Sequence, residues 1–124
     1  MADREDEIME GLAHGISLVY SLLVEVCALL PVPIGLPADQ YIAADAAIPA
    51  IQRAAELGKE QPMGEAQEAQ LFSGCVHLLA AIDLYALCAM RFTVTRAEGS
   101  GANLVHAEDS LKNLALWLTI NSLD

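Results

Sequence analysis

Six polar residues near the N-terminus, Glu7, Glu10, His14, Ser17, Ser21 and Glu25, follow one another at spacings of 3, 4, 3, 4 and 4. At 100° per residue they form one stripe about 80° wide, a pattern that belongs to an α-helix and not to a strand. Ile8, Leu12, Ile16, Val19, Leu23, Val26 and Leu30 fall on the opposite side. The stripe settles how to read residues 21–37, SLLVEVCALLPVPIGLP, where a single charge sits in an apolar run. Glu25 is the last member of a polar face, not a solitary carboxylate in oil. A membrane span has no use for such a face, and inserting a carboxylate together with an imidazole costs several kcal/mol. No Lys or Arg follows before Arg53 to orient a span. The expectation is a helix of a soluble bundle; a membrane protein using helices 1 and 3 is the rival. Because the stripe is narrow, apolar surface wraps most of the helix, which suits contact on several sides or a subunit interface.

Prolines and glycines punctuate the rest. The first helix is expected over 3–30, with its acidic start suited to the helix dipole and Pro31, Pro33 and Pro37 beyond its end. The second is expected over 38–57, with Pro37 at its first position and Asp39 in its first turn. Pro49 deprives the carbonyl of Asp45 of its hydrogen bond, so this helix should be kinked or split near Ile48. Seven alanines between Ala43 and Ala55 permit close helix approach, and Gly58 suits a C-cap. A third helix is expected over 65–96, with Glu65 and Glu68 at its start, Arg91 and Arg96 towards its end, and the β-leaning RFTVTR loosening its last turn. Gly99, Ser100 and Gly101 read as a connection, with Ser100 or Asn103 capping a fourth helix over 102–122. Its core line is Leu104, Ala107, Leu111, Leu114 and Leu118. Short connections between such helices give an all-α, up-down bundle of four main helices, one domain over residues 1–124.

Hydrophobic residues make up 55% of the chain and its mean hydropathy is +0.41, which argues against disorder. In a domain of 124 residues such a surplus needs lipid or another subunit to cover it. The net charge of −11, from 17 acidic and 6 basic residues, repels phosphate, so nucleic acid and anionic lipid surfaces are disfavoured as partners. It suits a basic protein partner, and more simply it keeps an apolar protein in solution. Cys27, Cys75 and Cys88 are odd in number, lie in apolar stretches and form no C-x-x-C, so they read as small hydrophobes rather than a disulfide framework or zinc site. The acidic N-terminus is the opposite of a signal peptide's basic start, and a cytoplasmic setting is expected.

Candidates for chemistry are few. Asp83 lies off the side of helix 3 that carries Gln70, Ser73, His77, Cys88 and Arg91, and among Phe72, Val76, Leu79, Leu87 and Met90. A carboxylate there is a tuned acid or base, or a ligand group, or is paired with Arg53, a histidine or a tyrosine, or faces solvent. His14, His77 and His106 fall on three different helices, and a bundle can gather such residues round a metal. Paired Glu-x-x-His motifs and H-E-x-x-H are missing, as are G-x-S-x-G, a P-loop and G-x-G-x-x-G. Cys75 and His77 are two apart and point to different helix faces, so they make no natural nucleophile–base pair. Trp117 is the best aromatic candidate for an interface anchor, alongside Leu12, Val19 and Leu23 on helix 1. The expectation is a non-catalytic, self-associating interaction protein without a cofactor, most simply a dimer. The alternative is a small-ligand- or metal-binding bundle using Asp83 and the histidines.

Overall fold

The computed structural model describes residues 2–38 and 44–121. Four helices follow one another: α1 Ala2–Leu29, α2 Ala44–Gly58, α3 Glu65–Met90 and α4 Val94–Asn121. No strand occurs among the described residues, and the helices pack as an all-α four-helix bundle. The polar stripe of α1 is exposed throughout, and its apolar face is buried from Val19 onward, with Ile8, Leu12 and Ile16 half-buried. Glu7, Glu10, His14, Ser17, Ser21 and Glu25 are all exposed, while Val19, Leu23 and Val26 are buried, as is Leu30 just past the helix end.

α3 is the central element, packed against α1, α2 and α4, and its closest partner is α4. At Gly74 a Cβ would fall 2.5 Å from Leu111 Cδ2, so only glycine lets the two helices meet at this depth. The buried hydroxyl of Ser100 donates to the carbonyl of Ala81 across the same seam at 2.8 Å. Gly99, Ser100 and Gly101 therefore lie inside α4, not between helices. The expected connection there is replaced by residues 91–93. α3 stops at Met90 rather than Arg96, and α4 begins at Val94 rather than Ala102. The local cause is Thr93, whose Oγ1 accepts the backbone N–H of Arg96 at 3.2 Å in N-cap fashion. Arg96 also donates from its guanidinium to the carbonyl of Arg91, tying the new helix to the end of the old one.

α2 begins at Ala44; Ala38 lies outside any helix, and Asp39 and Tyr41 fall outside the described residues. The helix runs unbroken through Pro49, so of the kink or split expected near Ile48 the split does not occur. Proline is tolerated because Asp45 and Pro49 are both exposed and water can take the place of the lost donor. Gly58 has no positive φ and so is not a left-handed cap. It is buried, and a Cβ on it would lie 2.6 Å from Leu71 Cδ2, where α2 closes on α3.

The direction of α2 follows from side-chain hydrogen bonds. The backbone N–H of Ile34 reaches the carbonyl of Cys27 at 3.0 Å, and the hydroxyl of Tyr20 donates to the carbonyl of Pro37 at 2.7 Å, so residues 30–38 double back along α1. The Gln61 side chain then pairs with both the N–H (2.9 Å) and the carbonyl (2.7 Å) of Val32, and Arg53 donates to the carbonyl of Gly35. The C-terminal ends of α1 and α2 thus sit together. α1, α2 and α4 run in one direction and α3 runs against all three. Strict alternation holds from α2 to α4; between α1 and α2 the proline-rich segment carries the chain back. An extended proline-rich segment advances about 3.1 Å per residue, twice the rise of a helix, which makes a short segment long enough for the return.

The core lies where α1, α2 and α4 converge on α3. Leu23, Val26, Cys27, Ile51, Leu71, Cys75, Leu78, Leu111 and Leu114 are fully buried. All five residues of the expected core line of α4 are buried. α1 and α3 are each long and apolar enough to cross a membrane, yet less than half of the apolar window of either is buried within the chain. Much apolar surface on these helices therefore remains on the outside.

Candidate functional site

Four exposed large apolar residues, Phe72, Val76, Leu87 and Met90, lie on α3. Its inner face supplies Leu71, Gly74, Cys75, Leu78, Ala81, Ile82 and Cys88 to the interior. The opposite face carries Phe72, Val76, Leu79, Asp83, Leu87 and Met90, at spacings of 4, 3, 4, 4 and 3. Such spacing keeps all six on one line about 27 Å long. Phe72, Val76 and Leu87 are each 40–45% exposed and Met90 is 84% exposed. Asp83 is exposed too, and no other Asp, Glu, Lys or Arg occurs between Phe72 and Met90. Of the readings open for Asp83, the solvent-facing one matches its position: Arg53 is engaged with Gly35. At one end of the line the Lys59 ammonium lies 5.4 Å from the centre of the Phe72 ring.

The expected interface residues sit elsewhere. Val19 and Leu23 are 2% and 0% exposed, so they belong to the chain's own core and are not on offer to a partner. Leu12 and Trp117 are partly buried against that core. The signal that points to α3 instead is in the sequence: apolar residues occupy both its faces, and one face is more than the interior of a small bundle can use.

A second, polar feature bridges α3 and α4. Ser73 Oγ lies 3.0 Å from Ser110 Oγ, and one turn along, the rings of His77 and His106 stand 5.3 Å apart with planes tilted by 38°. His77 Nδ1 is 2.8 Å from the carbonyl oxygen of Ser73 and 3.1 Å from its hydroxyl. A carbonyl only accepts, so Nδ1 carries the proton and donates. His77 consequently does not withdraw a proton from Ser73 through this nitrogen, and the pair lacks the activation that a serine nucleophile requires. His77 is half-buried and His106 exposed, while His14 is exposed on α1. Among the described residues no three His, Cys, Asp or Glu side chains gather as a metal site, so the three-histidine arrangement is not formed.

The cysteines behave as the sequence implies. All three are free and buried. Burial pushes the thiols of Cys27 and Cys75 up to about 12, far from the depressed values of reactive cysteines. A small apolar cavity of about 220 Å³ lies between α1, α2 and α3, beside Ile16, Tyr20, Ile82 and Tyr85. It is smaller than the roughly 300–1,000 Å³ of ordinary ligand pockets, and the Tyr20 hydroxyl beside it is already bonded to Pro37. No protein-family model, curated protein or solved structure matches this chain.

Proposed function

We propose that this chain is a soluble, non-catalytic interaction protein that self-associates through the outer face of α3. The observation that carries the reading is the line of exposed Phe72, Val76, Leu87 and Met90, with the half-buried Leu79 among them. The line is self-complementary. In a two-fold antiparallel pairing centred near Ala81, Phe72 of one copy meets Met90 of the other, Val76 meets Leu87, and Leu79 meets Asp83. Sulfur–aromatic contact favours the first pair. Apolar side chains bury one another at the second, and an isologous dimer requires this kind of symmetry. The two Asp83 residues are offset by about 6 Å along the axis on helices about 8–10 Å apart, so they do not stand directly opposite each other.

Other features support the reading. The exposed polar stripe of α1 makes insertion of that helix in a bilayer costly, which favours a soluble protein over a spanning one. The net charge of −11 keeps the rest of the surface in water, leaves room for a basic protein partner and disfavours nucleic acid. The inert thiols and the unactivated Ser73 argue against nucleophilic catalysis. A cytoplasmic location fits the free cysteines. The metal-binding alternative is favoured by one observation, the His77–His106 pair.

The register is open to a direct test. Phe72 and Met90 are too far apart along one helix to be bridged within a chain. The double variant Phe72→Cys, Met90→Cys should cross-link into covalent dimers under mild oxidation. Free monomer under the same conditions would reject the antiparallel pairing.

A further inference from the structure

We propose that His77 and His106 form a two-imidazole site for a divalent cation of the zinc class, distinct from the α3 docking face. The ring centres are 5.3 Å apart. An ion bound about 2.0–2.1 Å from one nitrogen of each imidazole holds two rings at roughly this separation in a tetrahedral site. The protonation state is set for it. Because Nδ1 of His77 donates to the carbonyl of Ser73, its Nε2 keeps a free lone pair in the neutral ring. Donation from the second nitrogen to a backbone carbonyl is the usual device that fixes a ligating histidine in tautomer and orientation.

The two rings are also held by their helices before any ion arrives. Ser73 and Ser110 bridge α3 to α4 one turn away, and Gly74 against Leu111 locks the same seam. Imidazole selects borderline ions such as zinc, copper or nickel over calcium and magnesium, which prefer oxygen. No third His, Cys, Asp or Glu among the described residues completes the set, so water fills the remaining positions and the ion exchanges freely.

Equilibrium dialysis with zinc chloride at neutral pH tests this, with calcium chloride as the control for binding to the acidic surface. One zinc per chain is expected at micromolar concentrations, with no competition from calcium. His106 is exposed, so His106→Ala removes one ligand without disturbing packing, and it should weaken zinc binding about tenfold or more. His77→Ala should do the same, and His14→Ala should leave binding unchanged. Absence of zinc binding in this range overturns the proposal. So does binding that survives His106→Ala, or that calcium displaces, since either places the ion on carboxylates elsewhere.

Discussion

Single residues on α1 separate what packs from what is solvated. Leu23 is fully buried and Glu25, two positions on, is exposed. Leu23→Asp places an unpaired charge in the hydrophobic core, and should cost more than about 3 kcal/mol, enough to unfold a marginal domain. Glu25→Gln should lie within about 0.5 kcal/mol of wild type. Urea denaturation compares the two, and equal effects would mean that the face assignment is wrong. These positions were legible because the 3, 4, 3, 4, 4 pattern fixes the phase of the helix. Asp83 was not, because α3 is apolar on both faces and periodicity alone does not say which face is the interior. The buried thiols add a pH dependence. Cys27 and Cys75 hold their protons up to about 12 in the folded chain, whereas the unfolded chain releases them above roughly pH 9. The unfolded state then binds fewer protons, so stability is full below that value and falls as pH rises, by about 1.4 kcal/mol per pH unit for each thiol. Burial raises Tyr20 as well, which acts in the same direction. Stability measured at pH 8 and pH 10 should show the fall, and the double variant Cys27→Ala, Cys75→Ala should flatten it.

At the scale of elements, helix existence was legible and helix limits were not wherever tertiary contact outweighs local propensity. Gly99, Ser100 and Gly101 carry the local chemistry of a turn. They sit inside α4 because α3 passes close by: Leu84 lies 3.2 Å from where a Cβ on Gly99 would be, and Ser100 donates to Ala81. The Thr93 cap that starts the helix earlier was obscured by the β-leaning residues around it. The return of the chain after α1 was hidden for a different reason, since nothing local in PVPIGLP states that it will lie along Tyr20. The α3–α4 seam is therefore the element most sensitive to small changes. Gly74→Val forces the backbone of α3 away from Leu111 and should destabilise by about 1–3 kcal/mol through overpacking and lost contact. Ser100→Ala, which removes one buried hydrogen bond, should cost about 1–2 kcal/mol. Thermal melts of the two variants rank them, and a Gly74→Val protein as stable as wild type would contradict the close approach.

For the whole molecule, the distribution of apolar surface ties fold to function. Three helices converge on one side of α3 and leave its other side uncovered, so the 55% hydrophobic content seen in the sequence is only partly accounted for inside a single chain. Composition foretold the surplus, and the structure leaves it on α1 as well as α3, although Val19 and Leu23, expected at an interface, belong to the chain's own core. The decisive measurement is light scattering on a size-exclusion column in detergent-free buffer, with wild type beside the double variant Val76→Asp, Leu87→Asp. Both positions are exposed, so the variant should fold. A wild-type dimer and a helical, monomeric variant are the results predicted. A wild-type monomer, a variant that remains dimeric, or a chain that stays in solution only with detergent would contradict association through α3.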